Sequence, residues 1–159
     1  MYQHYVTKFK KVEIEFLNCY LKQYPTSIYY LSTKNQDIYE HWDVKIDNIK
    51  YDVKALRKIN RNNNTGVNEF FHWIEIRNVN NKDGWLYGGA DKFAFETKDN
   101  WLIVDKIKLQ QLINPLFLNI QYTDKPEPFK LYQRKNRKDV LILIKTIDLV
   151  KISDEIIEK

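Results

Sequence analysis

Between Trp42 and Leu56 the chain reads WDVKIDNIKYDVKAL: two runs, Trp42 to Ile46 and Lys50 to Leu56, alternate polar and apolar side chains across Asp47-Asn48. Alternation of period two around a short Asx turn is the signature of a β-hairpin. Residues i and i+2 of a strand share a face. Asp52 and Lys54 therefore point one way while Val53 points into the core, and the hairpin brings Asp43 across from them. Asp is depleted in strands. Two of them on adjacent strands, each flanked by apolar residues, need a reason.

The rest of the chain supplies what such a hairpin packs against. From Tyr5 to Tyr24, Phe9, Val12, Phe16, Leu17 and Tyr20 recur at helical spacing, and Pro25 ends the run. Ser27 to Ser32 reads as a short buried strand, followed by a polar loop through Lys34 and Asp37. Arg57 to Asn68 has no periodicity and reads as a loop. Phe70 to Val79 is a strand, Asn80 to Gly89 a turn-rich link, and Lys92 to Glu96 with Trp101 to Val104 a second hairpin. Lys106 to Ile113 reads as a short helix stopped at Asn114-Pro115, and Phe129 to Gln133 and Val140 to Ile147 as late strands. The expected fold is α/β: a central mixed β-sheet built around the 42–56 hairpin and flanked by the N-terminal helix and the 106–113 helix. At 159 residues and 43% hydrophobic content, with no internal repeat or linker, residues 1–159 are expected to form a single domain.

No stretch reaches the roughly 20 apolar residues that a membrane span needs, and residues 1–5 lack the apolar core of a signal peptide. With Cys19 as the lone cysteine, neither an intrachain disulfide nor a cysteine zinc cage is available. A cytoplasmic protein is expected. The formal charge of +5 favours a polyanionic partner. Positive residues gather at Lys8, Lys10 and Lys11, at Lys54, Arg57, Lys58 and Arg61, and from Lys130 to Lys138. Charge runs are most often solvated surface. Trp42, Trp73, Trp85 and Trp101 could stack on unpaired bases, although most such residues are core.

Two carboxylates held close raise each other's pKa unless a cation lies between them. A few oxygen ligands from protein suit Mg²⁺, which keeps several of its waters. Lys54 beside such an ion would orient the attacking water and neutralise developing charge. That is the chemistry of phosphodiester hydrolysis. The bland alternative is a surface ion pair of Lys54 with Asp43 or Asp52, worth only ~0.2–1 kcal/mol.

The D-x8-D-x-K spacing in a hairpin, after a helix carrying Glu13 and Glu15, resembles motifs II and III of the PD-(D/E)XK nuclease superfamily over about residues 9 to 104. Downstream, WIEIRN, GGADKFAFET and WLIVD look like later strands of its small members, common in phages and mobile elements. Trp42 replaces the motif's Pro, Asp52 stands for the commoner Glu, and no long helix follows motif III. The resemblance implies a restriction-endonuclease-like core and a metal-dependent nuclease acting on nucleic acid, most naturally DNA. It implies Mg²⁺ (or Mn²⁺) held by Glu13, Asp43 and Asp52, the Val53 carbonyl as a further ligand, and Lys54 acting on water. Glu13 is preferred to Glu15 because it borders the buried helix face. Lys58, Arg134 and Arg137 are candidate phosphate contacts.

Because fold does not fix function, a catalytically inactive nuclease-fold protein that binds nucleic acid or a protein partner is the alternative, and a plain interaction domain a third. A homodimer stays open. Glu75, between Ile74 and Ile76, is a lesser candidate ligand, or a partner of Arg77. His41 and His72 are lesser proton carriers, more often structural. Gly84, Gly88 and Gly89 match no phosphate-loop pattern and read as turn residues.

Overall fold

A computed structural model describes residues 10–57, 68–119 and 122–159. Within them the fold is α/β, with a mixed multistranded sheet and helices. Strands β1 (Tyr29–Leu31), β2 (Val44–Ile46), β3 (Ile49–Lys54), β5 (Lys92–Glu96), β6 (Asn100–Asp105) and β10 (Glu155–Glu158) form a six-stranded sheet in the order β1-β2-β3-β5-β6-β10. Strands β4 (Phe71–Arg77), β7 (Tyr122–Thr123), β8 (Leu131–Tyr132) and β9 (Val140–Lys145) form a second sheet in the order β4-β9-β8-β7. The helices are α1 (Lys11–Gln23), α2 (Lys106–Ile113) and α3 (Thr146–Ile152).

The β2–β3 hairpin sets the register of the large sheet. Val44 pairs with Tyr51 and Ile46 with Ile49, leaving Asp47 and Asn48 as the turn at φ 48° and 68°. Two consecutive positive φ values make a type I′ turn, whose twist matches that of the strands, and Asp and Asn tolerate the left-handed region better than most residues. Asp47 also accepts a hydrogen bond from the Ile28 amide at 2.9 Å and donates its own amide to the Ile28 carbonyl, which ties β1 to the hairpin. Beyond β3 the chain crosses to the second sheet as β4 and returns as β5, so β3 and β5 pair in parallel.

Strands β5 and β6 are apolar on both faces because both faces are covered. Ala94, Trp101 and Ile103 lie under α1 with Tyr51, Val53, Phe16 and Leu17. Phe93, Phe95, Leu102 and Val104 face the other way and pack with Ile74, Ile142 and Ile144 of the second sheet and with Leu109, Ile113 and Leu149 of α2 and α3. Phe16 is fully buried, its ring 5.4 Å from that of Trp101 and 5.6 Å from that of Tyr51. Such burial contributes about 1.5–3 kcal/mol.

Several elements depart from the sequence reading. The strands divide between two sheets instead of one. The 36–40 segment is a turn of π-helix and not an open loop. The apolar run at 140–147 stops being a strand at Lys145, because Thr146 donates its amide to the Phe70 carbonyl and its hydroxyl to the Glu69 carbonyl and there starts α3. Strand β10 was not anticipated either. The expected helical residues Tyr5 to Phe9 and the cation Lys58 lie outside the described residues. No helix of the described residues is long and apolar enough to cross a membrane.

Candidate functional site

Asp43 sits where β2 begins to part from β3. Its amide still donates to the Tyr51 carbonyl, but the next amide facing that edge of β3, that of Val53, has no carbonyl opposite it and donates to Asp43 Oδ2 at 2.7 Å. A residue's N–H and C=O leave a strand on the same side, so the Val53 carbonyl faces the same edge. The carboxylate thus closes the frayed end of the hairpin, a structural role in its own right.

Asp52 and Lys54 share the other face of β3, as their spacing requires, and their Oδ1–Nζ distance is 2.8 Å. Asp52 Oδ2 is buried with no hydrogen-bond partner. The Lys54 ammonium also stands 4.2 Å above the Trp85 ring, a cation–π contact that fixes it between Asp52 and the 85–87 turn. Asp43 is 5% and Asp52 4% exposed. Both carboxylates are thus buried: the Lys54 ammonium paired with Asp52 lies against Trp85 on one side, and Glu13 of α1 faces Asp43 on the other.

The electrostatics follow from that burial. The Asp43 carboxyl is pushed up to about 8, first by burial and then by the charge of Asp52, against the Val53 amide and Lys54. Asp52 is raised by burial, with Lys54 and then Asp43 opposing. Glu13 is raised to about 7 by burial and then by Asp43, with Lys10 opposing. Glu13, half-buried on α1, feels Asp43, whereas Glu15 is exposed. Asp37, on the π-helical turn, adds its charge to all three carboxyls. Nothing in the sequence marked Asp37, because the turn that carries it has no readable period.

The remaining candidates scatter. Glu75 accepts the Trp85 amide at 3.3 Å and is raised by burial, with that amide and Lys54 opposing. His72 is buried against Phe95, its Nε2 without a partner, and burial pushes it down to about 4. His41 has φ 55° at the end of the π-helical turn, and its Cβ lies 2.7 Å from where a Cβ on Gly88 would stand. Arg134 is tied to the buried Asp139 at 2.7 Å, whereas Arg137 is exposed between exposed Lys135 and Lys138. A pocket of about 290 Å³ lined by Glu15, Asn18, Cys19, Trp101 and Lys159 contains none of Glu13, Asp43, Asp52 and Lys54.

Three carboxyls forced upward and a buried carboxylate oxygen without a donor fit the chemistry of a hard divalent cation, whose ligands are oxygens. Glu13, Asp43, Asp52 and the Val53 carbonyl are the donors at hand. Among the described residues, however, no three His, Cys, Asp or Glu side chains stand together as a ready metal-holding group. Lys54 occupies one oxygen of Asp52, and the Val53 amide one of Asp43. Compared with known families, the chain matches no family model; no curated protein and no solved structure matches it either.

Proposed function

We propose that the chain is a metal-dependent nuclease of the PD-(D/E)XK type, with a restriction-endonuclease-like core, hydrolysing phosphodiester bonds of nucleic acid, DNA foremost. The observation that carries the reading is the convergence of Asp43, Asp52 and Lys54 at the frayed edge of one hairpin, with Glu13 approaching from α1. Glu13, Asp43, Asp52 and the Val53 carbonyl would hold Mg²⁺ or Mn²⁺, which supplies Lewis-acid stabilisation of charge on the phosphoryl oxygens. Lys54 presents a fixed ammonium beside that point. Held by Asp52 and Trp85, it can orient the attacking water and offset charge that develops on the phosphoryl group without reorganising. Arg137 and Lys58 are the proposed phosphate contacts. Arg134, already paired with Asp139, serves only if that pair opens.

The test is cleavage of labelled duplex, branched and single-stranded DNA with Mg²⁺ or Mn²⁺, by wild type and by Asp52→Asn. Cleavage by wild type alone supports the reading. The deep burial of both carboxylates favours a second one, a nuclease-fold protein without the chemistry that binds nucleic acid or a protein partner. Salt-dependent binding of DNA with no cleavage under any of these conditions selects it.

A further inference from the structure

The face of the large sheet opposite α1 carries a feature at β1–β3 that the carboxylate site does not use. In the strand register Tyr30 lies directly opposite Lys45, and Lys45 directly opposite Lys50. Directly paired residues share a face, so the three side chains form one row across β1, β2 and β3. Val44, Ile46 and Tyr51, of the alternate parity, pack under α1. Two like charges placed directly opposite each other destabilise a sheet, and no ion pair among the described residues includes Lys45 or Lys50. Asp91 accepts the Lys50 backbone amide and Glu40 accepts Trp42 Nε1. The Lys50 ammonium leans on the Trp42 ring at 5.6 Å. Tyr30 is 64% exposed, and Tyr39 on the neighbouring π-helical turn is 78% exposed. Along β3 the row leads from Lys50 to Asp52, about 7 Å further on the same face.

We infer that this row is a binding path for an unpaired nucleic-acid strand, with Lys45 and Lys50 on successive phosphates and Tyr30 stacking on a base, delivering the strand to the Asp43–Asp52–Lys54 edge. The inference rests on the nuclease reading for its direction, but not for its binding chemistry. A lysine pair with no ion pair among the described residues offers two phosphate contacts, and an exposed aromatic beside it adds the stacking surface that single-strand binders combine with such charge.

The experiment is fluorescence anisotropy of a labelled oligothymidylate in EDTA, which removes cleavage, over 50–200 mM salt. Each phosphate contact on a single strand contributes about 0.7 to the slope of log affinity against log salt. Lys45→Gln with Lys50→Gln should therefore lower the slope by about 1.4, and Lys45→Arg with Lys50→Arg should restore it. Tyr30→Ala should weaken binding roughly 5- to 150-fold with the slope unchanged. Lys22→Gln with Lys98→Gln, which removes equal charge elsewhere, should leave the slope alone. Melting of the Lys45/Lys50 variant at or above the wild-type temperature shows that it folds. An unchanged slope, or an equal fall in the control, overturns the inference. If wild type cleaves and the Lys45/Lys50 variant binds and cleaves as well as wild type, only the strand path fails. If wild type cleaves nothing while the slope falls as expected, only the nuclease reading fails.

Discussion

Replacing Asp43 by Asn isolates the electrostatic strain of the site. The Asn side-chain oxygen can still accept the Val53 amide, so the hairpin edge stays closed while the charge is removed. The sign follows from the folded pKa lying above the unfolded value: about 8 against 3.8. The folded state then holds a proton that the unfolded state has lost. Stability from this group is complete below pH 3.8 and drains away as pH rises through 8. At 1.36 kcal/mol per unit, the loss between pH 6.5 and 8 alone comes to ~1.6 kcal/mol. This window lies above the ordinary pKa of His72, whose opposite contribution is confined to lower pH. The assay is urea unfolding in EDTA at half-unit pH steps, reading the free energy at constant m. Wild type should become less stable from pH 6.5 to 8, and Asp43→Asn should lose most of that slope and be the more stable protein at pH 8. Glu13, raised from 4.5 to about 7, loses ~0.8 kcal/mol over the same window, and Asp52 titrates in the same field, so the residual slope belongs to them. Wild-type stability that is flat or rises over this window would refute the claim that these carboxyls are held protonated by burial.

Adding Mg²⁺ or Mn²⁺ should raise the melting temperature of wild type, by an amount equivalent to ~2.7 kcal/mol at a hundred times the dissociation constant; Asp52→Asn should lose most of the rise, and equal shifts would place the ion elsewhere. Lys54→Ala should reduce cleavage by orders of magnitude with DNA affinity nearly unchanged, since the ammonium acts on charge that appears during reaction; a matching loss of affinity would make it a binding residue. His72 has its folded pKa depressed from 6.5 to about 4, so stability is full above 6.5 and falls as pH drops toward 4. Relative to wild type, His72→Leu should lower the stability at pH 7.5 against that at pH 5 by ~2 kcal/mol, and an unchanged difference would mean that His72 is solvated.

The hairpin was legible in the sequence because everything that makes it is local: alternation, an Asx pair that accepts positive φ, and the i, i+2 rule. Those same facts placed Asp52 beside Lys54. They also placed Glu13, through its position at the border of the apolar face of α1. The second sheet was not legible, because β4 and β9 pair across some seventy residues, Phe71 with Lys145, and nothing in either strand names its partner. The end of β9 was hidden for a related reason. Val140 to Ile147 is one apolar run, and what breaks it is a pair of hydrogen bonds to Glu69 and Phe70. The burial of Asp52 failed to show because its partner Lys54 is held against Trp85, whose turn reads as plain loop chemistry.

That turn also decides from which side the site can be reached. The 85–87 turn sits hard against β4: a Cβ on Gly84 would stand 2.4 Å from the Glu75 carbonyl oxygen, and the Trp85 amide is bonded to the Glu75 carboxylate. Trp85 in turn packs on Phe93 at 5.1 Å and carries the Lys54 ammonium. Displacing this turn would break a buried aromatic contact, a cation–π contact and a backbone bond at once. On the opposite flank, Glu13 and Asp37 are half-buried, and the residues after Asp37, from Ile38 to Glu40, are exposed. Access therefore falls to the flank of α1 and the π-helical turn. A π-helical turn is a local irregularity of the kind often found at functional sites.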